Sequence, residues 1–232
     1  MLNFDGFQVL TFDCYGTLID WESGIWAALQ PVLTSHHIAI ERDNALELFG
    51  ELESAAERGP YHEYKAVLGT VLAGLGARLG FAPTSLELQQ FSESVKDWPA
   101  FPDSAPALQA LKTKYKLAII SNIDDDLFAY SARRLGVAFD WVITAQQAGS
   151  YKPSLDNFHL AFARIGLPQD KILHVAQSIY HDIVPAKALG LAAVWVNRRG
   201  NQGGFGATPP AQAQPDLEVP DLQTLAARMG LL

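Results

Sequence analysis

Five short apolar runs constrain the fold of this chain more than any other feature. They are Gln8-Val9-Leu10-Thr11-Phe12, Leu117 to Ile120, Trp141 to Thr144, Ile172 to Ala176 and Ala192 to Val196. Runs this short, rich in β-branched and aromatic side chains, read as buried strands. Between them lie segments with apolar spacing near the helical period: Ala105 to Tyr115, Leu127 to Leu135 and Leu155 to Ile165. Alternating strand and helix signals predict an α/β fold, with a parallel sheet covered by helices on both faces. In such sheets reacting groups lie outside the carboxyl ends of the strands. That rule selects Asp13, Ser121, the 144–152 loop and the 177–182 loop.

The region from Trp21 to Val95 follows a different pattern. Ile25 to Leu33, Arg42 to Glu57, Tyr61 to Leu79 and Ser85 to Ser94 are helical in spacing, with no convincing strand among them. Trp98-Pro99-Ala100-Phe101-Pro102 reads as a return linker. The predicted organisation is a core of residues 1–19 and 97–232, interrupted by a helical insertion over 20–96 that lies above the strand ends. Gly200, Gly203, Gly204, Gly206 and Pro209-Pro210 mark a flexible loop. Leu217 to Leu232 reads as a short strand and a closing helix.

Composition excludes several classes. With 49% hydrophobic and 18% charged residues, the chain can bury a sizeable core. Seventeen Lys and Arg stand against 25 Asp and Glu, a net charge of −8, and no basic run is present, so nucleic acid is not an expected partner. The longest strongly apolar stretch, Leu189 to Val196, is too short to span a bilayer. Met1 to Phe7 lacks the basic start of a secretory signal, and a single cysteine, Cys14, excludes an intramolecular disulfide. A cytoplasmic location is the resulting expectation.

Four features fall at predicted strand ends. In Asp13-Cys14-Tyr15-Gly16-Thr17-Leu18, the carboxylate of Asp13 is placed to act as a nucleophile, and Gly16 lets the chain turn away. Ser121-Asn122 offers a hydroxyl and an amide to an anionic oxygen. Lys152, in Tyr151-Lys152-Pro153, can neutralise and position Asp13. Asp182 follows Gln177-Ser178-Ile179-Tyr180-His181; it fits a base and a structural partner of Lys152 equally well. Cys14 reads as a small core residue, and Asp124-Asp125-Asp126 as a helix start rather than a metal cluster.

Asp-x-Tyr-Gly-Thr-Leu, Ser-Asn, Lys-Pro and a late Asp, in this order, resemble the haloacid dehalogenase-like hydrolase superfamily over nearly the whole chain. The resemblance implies a Rossmann-like core with a helical cap inserted after the first motif. Phosphatases of that superfamily carry a second Asp where Tyr15 stands, as acid for the leaving alcohol, and a late Asp where Gln177 stands, as part of a Mg²⁺ site. A phenol is a poor acid at neutral pH and an amide a weak ligand for a hard dication. Both differences point to the 2-haloacid dehalogenase type, which uses no cofactor; Mg²⁺ belongs only to the phosphatase alternative. The implied reaction displaces halide from a small carboxylate by Asp13, then hydrolyses the ester. Thr17, Ser121, Lys152 and Asp182 would orient Asp13 and the water, and Tyr15, Asn122, Tyr180 and His181 would meet the substrate or halide. Homodimerisation through the cap is an assembly the resemblance allows.

The sequence departs from that type in three places. The cap Arg expected near Phe49-Gly50 is absent, the late Ser-x-Asn is Gln177-Ser178-Ile179, and a Tyr expected six residues after Lys152 is Phe158. Arg42, Arg58, Lys65, His62, Tyr61, Tyr64, Tyr180 and His181 are the candidate replacements for the Arg. A strained ring carbon in a small acid, or a fold kept without catalysis, are the remaining alternatives.

Overall fold

β1 (Val9–Phe12) is flanked in parallel by β2 (Lys116–Ser121) and β4 (Ile172–Ala176), so that Phe12 lies beside Ile119 on one side and Val175 on the other. Adding β3 (Trp141–Thr144), β5 (Ala192–Val196) and β6 (Leu217–Val219) gives a six-stranded, all-parallel sheet in the order β3-β2-β1-β4-β5-β6. The computed structural model describes residues 2–200 and 204–232; Met1 and Gly203, named above, lie outside them. The five expected apolar runs and the short strand of the tail are all present; β1, β2 and β4 are buried along nearly their whole length, as central parallel strands require. The strand order reverses direction at β1 and β4, which opens a crevice at their carboxyl ends.

Four consecutive helices follow β1: α1 (Trp21–Ser35), α2 (Arg42–Ala56), α3 (Tyr64–Leu79) and α4 (Ser85–Glu93). Local signals set their ends. Asp20 caps α1 by accepting from the Ser23 amide at 3.1 Å, and Thr84 with Glu87 forms a reciprocal capping box on α4. Ile25, Leu29, Leu46, Phe49, Leu68, Leu72 and Phe91 share one buried cluster with the sheet residues Leu10, Phe12 and Leu117. The return segment is anchored by Trp98, whose buried ring packs against Gly24 and meets Tyr15 edge-on at 5.7 Å.

The chain then completes the sheet through α5 (Ser104–Lys112), α6 (Asp125–Leu135), α7 (Ala145–Ala148), α8 (Asp156–Ile165), α9 (Val184–Ala188) and α10 (Leu222–Arg228). A single π-helical turn, Ile179–Ile183, leads into α9; no periodicity in so short a segment announces it. No helix among the described residues is long and apolar enough to cross a membrane.

Two contacts hold the inserted helices on the core. Asp124, just before α6, accepts from the backbone N–H groups of Tyr64 at 2.8 Å and Lys65 at 3.1 Å, and from the Tyr61 hydroxyl at 3.2 Å. A core carboxylate thus receives the amino end of α3, where the helix dipole favours negative charge. The Tyr151 hydroxyl donates to the His62 carbonyl at 2.7 Å. The loop expected to be flexible also contributes, which corrects that expectation for its described part: Gly206, Ala207 and Thr208 are buried. Ala207 donates its N–H to Glu22 at 3.0 Å, and its carbonyl lies against Gly50 so closely that a Cβ there would collide.

Candidate active site

The crevice above β1 and β4 is organised around one ammonium group. Lys152 Nζ donates to Asp13 Oδ1 at 2.9 Å, to Asp182 Oδ1 at 2.6 Å and to the Ile120 carbonyl at 2.8 Å. These bonds use all three of its protons. Asp13 follows β1 directly, Asp182 sits in the π turn after β4, and Lys152 reaches in from the loop after α7. All three side chains are more than nine-tenths buried.

Each carboxylate has further support. Thr17 donates to Asp13 Oδ2 at 2.8 Å while accepting the Gln177 N–H at 2.9 Å, which ties the first loop to the late one. Gly16 makes that turn with φ of 92°, and a Cβ there would press on the side chains of Trp21 and Gln177. His174, inside β4, bridges Thr11 at 2.9 Å and Asp182 Oδ1 at 3.0 Å. Asp182 Oδ2 is buried without a partner.

Burial, the largest influence on each group, acts against its charge. It raises the Asp13 carboxyl; Lys152 and Thr17 oppose this, and Asp182 adds to it. For Asp182 the attraction of Lys152 and the hydrogen bond from His174 prevail over burial, and its carboxyl is held below the usual range. The two carboxylates in turn hold the Lys152 ammonium above its ordinary value despite burial. Asp182 and Lys152 are therefore held in their charged forms, and of the two aspartates Asp13 is the costlier to ionise.

Asp13, Tyr15, Ser121, Asn122, Lys152, His181 and Asp182 line a single cavity of about 30 Å³ together with Trp21, Glu53, Glu57, Tyr64, Ser178 and Thr208. The Ser121 hydroxyl faces it with no hydrogen-bond partner, as does Nε2 of His181. Burial, with a smaller push from Lys152, lowers the His181 imidazole to about 4, so the ring is neutral near pH 7. Ser178 Oγ accepts the His181 N–H at 2.9 Å and lies 3.1 Å from Nδ1. With the serine proton directed to Nδ1, Nε2 carries the ring proton and presents a donor to the cavity.

Two sequence-selected residues are engaged otherwise than by a free contact with the cavity. Asn122 is committed to Lys152, accepting its backbone N–H at 2.7 Å and donating to its carbonyl at 3.1 Å; it holds the lysine's backbone rather than offering a free amide. Tyr180 lies outside the cavity, in an adjoining cleft with Tyr61, Arg58 and Ser154. The phenol of Tyr15 is bonded to Ser131 at 2.9 Å, and burial pushes it up from its ordinary value.

Of the candidate replacements for a cap Arg, Tyr64 and His181 reach the cavity. Arg42 lines a separate pocket beside Gly16, Arg58 donates to the Ser54 carbonyl, and Lys65 pairs with Asp126 at 2.5 Å. The groups sequence reasoning missed are Glu53, Glu57 and His174. The signal for His174 was a polar residue inside an apolar strand; for the glutamates it was their four-residue spacing on the inner face of α2 and its end.

No described group of three or more His, Cys, Asp or Glu side chains is arranged to hold a metal ion. A Mg²⁺ between Asp13 and Asp182 would meet the Lys152 ammonium, and Gln177 supplies no third carboxylate. The donor set does not fit a hard dication.

The chain matches the haloacid dehalogenase-like hydrolase family over residues 7–190 and belongs to that family. Among its relatives, (S)-2-haloacid dehalogenase H-109 of Pseudomonas putida is 27% identical over 91% of this chain and 96% of its own. The 5-amino-6-(5-phospho-D-ribitylamino)uracil phosphatase of Escherichia coli is 26% identical over 95% of both. The fold is shared with L-2-haloacid dehalogenase from Xanthobacter autotrophicus, with a TM-score of 0.81 at 22% identity over 97% of this chain and 98% of that one. The protein is thus a hydrolase built on a Rossmann-like core.

Proposed function

We propose that this hydrolase removes halide from small 2-haloalkanoic acids through an ester formed on Asp13, without a metal ion. The observation that carries the reading is the Lys152 ammonium held at 2.9 Å from Asp13 and 2.6 Å from Asp182. A fixed internal cation occupies the place between the carboxylates and keeps Asp13 ionisable in a buried site. In the first step an Asp13 oxygen attacks the carbon bearing halogen; the C–O bond forms as the carbon–halogen bond breaks, and the halide leaves with the electron pair. In the second, Asp182 takes a proton from water as the water oxygen adds to the ester carbonyl of Asp13. Collapse of the adduct returns the Asp13 carboxylate and releases a 2-hydroxy acid; the net products include one halide and one proton. The unpaired Oδ2 of Asp182 is suited to the base, and Nε2–H of His181 to the departing halide or the carboxylate. The inserted helices act in this reading as a cap over the crevice.

A halide leaving group requires no proton, which agrees with a Tyr15 phenol bonded to Ser131 and too weakly acidic to protonate an alkoxide. The test is halide release from 2-chloropropionate and chloroacetate in the presence of a chelator. Digestion after a single turnover in ¹⁸O-water should place label in the peptide carrying Asp13. Folded protein that releases no halide from any 2-haloacid, or that releases phosphate from a monoester only with Mg²⁺, would remove the proposal.

A further inference from the structure

The cavity holds two carboxyl groups that the proposed reaction does not use. Glu53, in α2, and Glu57, just beyond its end, are four residues apart and reach the cavity from one helix face. Glu53 is 3% exposed and accepts the Tyr64 hydroxyl at 2.5 Å. Both oxygens of Glu57 stand 3.4 Å from Asn122 Nδ2, and one stands 3.8 Å from His181 Nε2. Lys152 eases the Glu57 charge only from a distance, because its three protons are bound to Asp13, Asp182 and Ile120, and Arg58 of the adjoining cleft turns its Nε–H to the Ser54 carbonyl. Two carboxylates cannot stay ionised side by side in so dry a place.

Besides the glutamates, the cavity holds unpartnered buried groups that point to an anionic ligand. Ser121 Oγ and His181 Nε2 both face it with unused hydrogen-bonding capacity. A small carboxylate placed there lacks only a donor from the side of the inserted helices.

We propose that Glu53 and Glu57 are the substrate-recognition residues of the inserted helices, and that they grip the substrate carboxylate as carboxylic acids, through O–H donors in place of a cation. This rests on the reading of a small carboxylate as substrate. Burial supports it: Glu53 is pushed up to about 8, and Glu57, repelled also by Glu53, is raised well above its ordinary value. Below that range the pair donates and the substrate is an anion; above it, like charges oppose each other. The titratable and charged groups facing the pair are Asp13 and Tyr15 from the first loop, Arg58 beyond α2, Tyr61 and Tyr64 at the start of α3, Tyr151 and Lys152 from one core loop, and Tyr180, His181 and Asp182 from the π turn. Burial raises Tyr15, Tyr61, Tyr64 and Tyr151, and it lowers His181 to about 4, which moves these groups out of the relevant window.

Propionate, which has no leaving group, is the binding probe, followed by calorimetry on the wild-type protein. Its affinity should fall about tenfold or more between about pH 6 and about pH 9. In Glu53→Gln/Glu57→Gln, whose amides donate at every pH, that fall should disappear while affinity at the acid end stays within a few-fold. Each single variant should flatten the profile in part, which keeps the test available if the double variant does not fold. Propionate affinity that is flat or rises with pH, a decline that persists in the Gln variants, or tighter binding of propylamine than of propionate would overturn the proposal. Halide release is read separately: pH-dependent propionate binding without dehalogenation sinks the proposed function and leaves the recognition by Glu53 and Glu57 intact.

Discussion

The Lys152 ammonium lies closer to Asp182 than to Asp13, at 2.6 Å against 2.9 Å. Asp182 adds a bond from His174 and has its carboxyl held low, whereas Asp13 is raised. The lysine is therefore anchored by the carboxylate held in its charged form and lends its charge to Asp13, the proposed nucleophile.

Lys152→Met should cost about 3–5 kcal/mol, since removing one member of a buried ion pair leaves its partners uncompensated. Halide release should drop to background. Denaturant midpoints with an isotope-labelled single turnover would separate the two losses; a stable, active Lys152→Met would contradict the role given to the lysine.

Turnover should show an acid limb above the range of an ordinary aspartate. Burial raises Asp13, and in the proposed reaction only its ionised form attacks, so the rate should rise with pH above the ordinary aspartate range. Thr17→Val removes a hydrogen bond that favours the carboxylate and should move the limb further up. The pH profile of ester formation, measured in a single turnover, checks the direction.

Glu53 ties stability to pH in the opposite sense. Its carboxyl rises from 4.5 to about 8 on folding, so the folded state binds the extra proton. The contribution is fully present below about pH 4.5, declines as pH rises, and is lost once pH passes the folded value near 8. Glu53→Gln should flatten that decline, which amounts to a few kcal/mol in order of magnitude; chemical denaturation at several pH values reads it directly.

Asn122→Ala removes the two hydrogen bonds that hold the backbone of Lys152. At about 1 kcal/mol each, they predict a loss of about 2 kcal/mol. Steady-state kinetics should show kcat falling with KM little changed, because the amide positions a lysine rather than the substrate. A rise in KM alone would return Asn122 to direct substrate contact.

The sheet was legible because a parallel strand buried on both faces leaves a largely apolar run, as in β1, β2 and β4. Strand ends then located Asp13, Ser121, Lys152 and Asp182 without knowledge of their distances. What stayed hidden depends on which way a helix faces. Glu53 and Glu57 resemble the many solvated acids of α2 until the packing of Phe49 and the Ala207 carbonyl against Gly50 fix the rotation of that helix. Asn122 lines the cavity as expected, but its bonds to the Lys152 backbone were hidden, because only the loop's path brings that backbone within its reach. The position of Tyr180 in the adjoining cleft is set by a π turn too short to announce itself by any periodicity.

At about 30 Å³ the cavity is narrow, so a three-carbon acid would seat there only with the inserted helices drawn a little away from the core. Its walls come from both the core and the inserted helices, which meet at a seam. The bonds from Asp124 to the start of α3, at 2.8 and 3.1 Å, lie across that seam. Asp124, which does not line the cavity, therefore sets how readily that seam yields: a firm hold on α3 keeps the cavity narrow, and its loss would let the cavity widen.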